Sequence, residues 1–89
     1  MRIETFLFGL APGWALKADN QQWMICRQRK RKGVTVWTPE SFVGSTRAVL
    51  ISVLGQKGIV PTPEAHTALN ALPERFLNWR DAPRMREVA

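Results

Sequence analysis

The chain has 89 residues, 45% of them hydrophobic, and carries thirteen Lys/Arg against seven Asp/Glu for a formal charge of +6. This composition excludes wholesale disorder, and the length admits one small domain, with about two-thirds of its unfolded surface buried at best. A single cysteine, Cys26, excludes an intramolecular disulfide and a cysteine-based metal site, and no apolar run reaches the ~20 residues that span a bilayer.

Residues 1–13 form a segment whose type the pattern leaves open. Ile3, Phe6, Leu7 and Leu10 match a helical face, while the composition of Thr5-Phe6-Leu7-Phe8 favours a strand. Ala11-Pro12-Gly13 then signals a turn. The early Glu4 and this turn also deny the segment the form of a signal peptide, so a soluble, cytoplasmic protein is expected.

Residues 14–43 read as an antiparallel meander. Trp14-Ala15-Leu16-Lys17-Ala18 alternates, as does Gln22-Trp23-Met24-Ile25-Cys26-Arg27, and Asp19-Asn20-Gln21 between them tolerates turn conformations. A two-residue loop at Asp19-Asn20 pairs Ala18 with Gln21, Leu16 with Trp23 and Trp14 with Ile25. That register places Trp14, Leu16, Trp23 and Ile25 on one half-buried face. Val34-Thr35-Val36-Trp37 is β-branched and aromatic and supplies the next strand; Pro39 interrupts it, and Ser41-Phe42-Val43 resumes after a bend or bulge.

Between the last two strands lies the most unusual stretch. Arg27-Gln28-Arg29-Lys30-Arg31-Lys32 holds five of the thirteen basic residues, leaving eight Lys/Arg against seven Asp/Glu elsewhere. The charge excess is therefore local, and it falls on a strand end and the loop at Gly33. Alternation sends Arg27, Arg29 and Arg31 to one side, with Lys30 and Lys32 on the other. Such an arm suits phosphates or an acidic protein face, and at minimum it keeps a strand edge from aggregating.

Residues 45–80 read as helical. Ala48–Leu54 is an apolar run whose Ser45 or Thr46 start and Gly55 or Gly58 stop favour a helix over a strand. Thr62, Pro63 and Glu64 are cap, first-position and dipole-complementing residues of a second helix through about Leu72. Pro73 kinks it or starts another, and Leu72, Phe76 and Trp79 fall at helical spacing. Residues 81–89 read as a frayed tail.

Gly55-Gln56-Lys57-Gly58 resembles the GxxG loop of KH domains over about seven residues. Pro61 and Pro63 depart from the direct helical continuation that loop expects, and a helix stop explains the same letters. Trp14, Trp23 and Trp37 lie in the expected sheet, where an exposed indole stacks on bases and a buried one is core. His66 is the lone histidine, the thiol of Cys26 has apolar neighbours, and the carboxylates show no paired spacing. A non-enzymatic binding protein without a cofactor is expected.

Three phrases resemble small accessory proteins encoded by bacteriophages and prophages. They are Trp14-x-Leu16-x-Ala18-Asp19 with Gln22-Trp23, Ser41-Phe42-Val43-x-Ser45-Thr46, and Ala68-Leu69-x-Ala71-Leu72-Pro73-Glu74-x-Phe76 with Trp79. Together they cover residues 14–80. The resemblance implies a protein acting in the bacterial host cytoplasm, and anti-CRISPR proteins belong to that pool. The overall expectation is an α+β domain with a sheet of three, possibly four, antiparallel strands against two or three C-terminal helices. Arg27, Arg29, Lys30, Arg31 and Lys32 would contact a host effector complex in the manner of an inhibitor or, alternatively, the phosphates of a nucleic acid.

Overall fold

A computed structural model describes residues 4–82, in the order β1 (Thr5–Ala11), β2 (Trp14–Ala18), β3 (Trp23–Arg31), β4 (Val34–Val43), α1 (Arg47–Gln56), α2 (Pro63–Asn70) and α3 (Phe76–Asp81). The strands make one antiparallel meander with spatial order β1-β2-β3-β4. The α+β expectation holds with four strands, because the N-terminal segment is a strand. Beyond Ala82 the expected tail lies outside the described residues.

The β2–β3 hairpin differs from the expected register by two residues: Ala18 faces Trp23, Leu16 faces Ile25 and Trp14 faces Arg27. Asp19 is the reason. Its buried carboxylate accepts from the amides of Gln21 (2.8 Å) and Gln22 (3.0 Å), while its own amide donates to the Gln22 carbonyl. The tip thus moves to Asn20-Gln21, and a slip of two keeps every side chain on its expected face.

Helices and sheet meet on one face. Leu10, Leu16, Trp23, Ile25 and Val43 from the strands pack with Leu50, Leu54, Ile59, Leu69, Leu72 and Phe76 from the C-terminal part. Trp23 meets Phe76 edge-on at 5.3 Å between ring centroids, and Phe76 in turn lies 5.5 Å from Trp79. Trp14 and Trp79 border this core and are only partly buried. The indole N–H of Trp23 is buried with no hydrogen-bond partner among the described residues.

Caps place the helices. Thr46 Oγ1 accepts from the Val49 amide and Thr62 Oγ1 from the Ala65 amide, as the start signals require. α1 runs through Gly55, and Gly58 takes φ +73° just beyond it while the Ile59 amide donates to the Leu54 carbonyl. The glycine pair is a helix end, followed by an extended segment rather than a second helix. Arg47 donates to the carbonyls of Asn70 (2.9 Å) and Leu72 (2.7 Å), closing the end of α2, which stops two residues earlier than expected. No helix among the described residues is long and apolar enough to cross a membrane.

Candidate functional site

The sheet has a second face, and it is not the plain polar surface that alternation suggests. Met24 and Cys26 point away from the helices, yet both are fully buried, as is Ala15. Phe6 on β1 and Trp37 on β4 meet over this side, with ring centroids 6.2 Å apart at a 56° tilt. They come from opposite edges of a four-stranded sheet, so the sheet must coil strongly to join them. The cross-strand row Gly9, Ala15, Cys26 and Pro39 is made of small or compact residues, which suits that curvature. Glu40 is an extra residue in β4, since Ile25 faces Ser41 while Cys26 faces Pro39. Such a bulge adds twist and lets Pro39 sit in an edge strand. Burial pushes the pKa of the Cys26 thiol up, with nearby Lys17 opposing the shift and Glu4 adding to it.

Past Cys26 the same hairpin changes character. β2 reaches only as far as Arg27, so beyond Gln28 the sheet narrows to a two-stranded ribbon of β3 and β4. Arg27, Gln28, Arg29, Lys30 and Arg31 are all exposed, and so are Lys32, Gly33, Val34 and Thr35. Arg31 faces Val34 across a two-residue tip in which Lys32 has φ 51° and Gly33 φ 81°. Positive φ at both positions is the type I′ geometry that matches strand twist; Gly33 takes it freely, whereas Lys32 does so at some cost.

The five predicted site residues are therefore brought together on one arm. Arg29 donates to Glu40 at 2.8 Å, and Lys57, at the end of α1, lies 3.6 Å from the other oxygen of that carboxylate. The Arg27 guanidinium sits 5.3 Å from the centroid of the Trp14 ring, with the Lys57 ammonium 5.7 Å away from it. Each of these contacts is worth about 1 kcal/mol or less at an exposed position. Lys30, Arg31 and Lys32 have no ion-pair or ring partner among the described residues. Arg27 and Arg29 are thus anchored at the arm's base, and the outer three cations are exposed.

Two features escaped the sequence reading. Lys57 joins the base of the arm through Glu40 and Trp14, both distant in the chain, which only the folded topology reveals. Phe6 and Phe42 form a pair of exposed rings, 51% and 54% accessible, on the helix-free face; their common side depends on the register of all four strands. Of the three sheet tryptophans, Trp23 is core, Trp14 lies beneath two cations, and Trp37 belongs to the second face. His66 lies on α2 with Nδ1 3.2 Å from the Asn70 side-chain amide. Among the described residues no three His, Cys, Asp or Glu side chains converge on a point where a metal ion would bind. Comparison of the chain with family models, with curated proteins and with solved structures gives no match.

Proposed function

We propose that this chain is a nucleic-acid-binding protein that grips phosphates with the β3–β4 arm. One observation carries the reading: Lys30, Arg31 and Lys32 project from an ordered ribbon, exposed and without carboxylate partners among the described residues. Alternate residues of a strand, here Arg29 and Arg31 of β3, repeat every ~6.6–6.8 Å, close to the step between successive phosphates along one polynucleotide strand. A type I′ tip and a short two-stranded pairing hold that spacing before binding, which reduces the ordering cost of capture. Each phosphate neutralised releases condensed counterions, so affinity should fall steeply with salt.

Anisotropy titration of labelled oligonucleotides at several salt concentrations tests this reading. Binding should be seen at low salt, and replacing Arg29, Lys30, Arg31 and Lys32 together by Ala should abolish it in a protein that still folds. Undiminished binding by that variant would take the arm out of the account.

A second reading is an inhibitor of the anti-CRISPR kind, with the arm on an acidic face of a host effector complex. The exposed Val34 at the arm's tip, 61% accessible, favours it, because an apolar contact adds nothing to phosphate binding. A bacterial protein complex recovered on the immobilised chain after nuclease treatment, and lost with the arm variant, would support this reading. No recovery would weigh against it.

A further inference from the structure

The face of the sheet opposite the helices combines exposed aromatic rings with exposed positive charge that has no ion-pair partner among the described residues, and the two need a common explanation. Phe42 stands directly opposite Met24, and Phe6 opposite Lys17, so the two rings end one cross-strand row with Lys17 and the buried Met24 between them. Trp37 stands opposite Gln28, closer to the arm, and leans onto Phe6. Continuing along β3 on this same side, Lys30 follows Gln28, and Lys32 stands in the turn just beyond the strand. Negative charge on the face is already spoken for, because the Glu4 carboxylate is held by Lys17 at 2.7 Å.

Rings of this size normally complete a core, where each would bury on the order of 150–250 Å². Here Phe6 and Phe42 each leave about half of their surface open to water. A partner for this face must therefore offer flat apolar groups together with negative charge at regular intervals. We infer that the face binds a single-stranded polynucleotide, with bases stacking on Phe42, Phe6 and Trp37 while its phosphates run out onto Lys30 and Lys32. Duplex bases are paired and stacked on one another, so only an unpaired strand presents free base faces to such a platform. The rows of Trp37 and Phe42, at Gln28 and Met24 of β3, lie four residues apart, about 13 Å, room for about two nucleotides. This inference rests on the reading of the arm as a phosphate grip and assigns that grip its form of nucleic acid.

The test uses the full chain and two probes, oligo-dT of about twelve nucleotides and a hairpin duplex with the same number of phosphates. Oligo-dT should quench tryptophan emission, and Trp37→Phe should lose most of the quench while retaining affinity, since phenylalanine still stacks. Phe42→Ala should weaken oligo-dT binding by roughly 5- to 100-fold and leave duplex binding unchanged. Phe42 is more than half exposed, so this variant should fold, which a circular-dichroism melt confirms; the Trp37→Phe quench measurement stands independently of it. Equal affinity for duplex and single strand, unaffected by Phe42→Ala, would overturn the stacking platform and leave the arm as a phosphate grip. Quenching that persists in Trp37→Phe would also overturn it. Failure of both probes to bind would remove the arm reading together with this one.

Discussion

β3 contains two regions that share a strand and a partner yet behave oppositely. Trp23, Met24, Ile25 and Cys26 are buried in unbroken succession, and Arg27 to Arg31 are exposed in unbroken succession. Neither half shows the in-and-out alternation of a strand with one wet face. In the inner half, helices cover one side while the coiled sheet closes Phe6 and Trp37 over the other. In the outer half, β2 has ended and no described residue buries either side. The comparison teaches that burial along a strand follows the number of layers around it, whereas alternation records only which side each residue takes.

The two halves should respond differently to substitution. The largest effect belongs to Trp23→Ala, which removes the ring that Phe76 meets edge-on in a fully buried site. A loss of about 3–5 kcal/mol is expected, a large share of the ~5–15 kcal/mol that holds a domain together, and urea unfolding measures it. Met24→Ala should cost about 2–5 kcal/mol by the same measurement. A value within ~0.5 kcal/mol, the usual range for a surface site, would mean that the second face is not a core.

Cys26 gives a milder, chemical version of the same comparison. Because burial raises its pKa above the ordinary value of 9.0, the folded state holds the thiol proton more tightly than the unfolded chain does. The resulting stability is complete below that ordinary value and is lost as pH rises toward and through the folded-state pKa. Alkylation of the native protein at pH 8 should accordingly be much slower than in denaturant, and a native rate matching the denatured one would contradict the burial. The smallest effect is expected at the tip. Lys32→Gly relieves a left-handed backbone at a non-glycine residue and should raise stability by about 0.5–1 kcal/mol, while removing one cation from the arm.

Much of this arrangement was legible in the residues, because local chemistry decides it. Thr46 and Thr62 cap their helices, the basic run lies on a strand end and tight turn, and Leu16, Trp23, Ile25, Leu50, Leu54, Leu69, Leu72 and Phe76 form the core. The N-terminal strand was ambiguous because two extra residues in β1, at the register shifts beside Phe8 and Ala11, break its period. The hairpin register missed by two because the Asp19 side chain substitutes for a backbone partner at the turn, which spacing alone does not reveal. Burial of Met24 and Cys26 depends on the coil of the whole sheet and on contact between residues 6 and 37. No local pattern carries that information.

In the β3–β4 hairpin, the exposed cations of the outer half serve binding, while the buried side chains of the inner half serve stability. Thermal unfolding and oligonucleotide affinity, measured together on the Arg29, Lys30, Arg31 and Lys32 to Ala variant, test it most directly. The midpoint should lie within a few degrees of the parent, as for substitutions at exposed sites, with loss of binding that removes the steep dependence on salt. A variant that unfolds at much lower temperature, or one that binds with the parent's affinity and salt dependence, would contradict it.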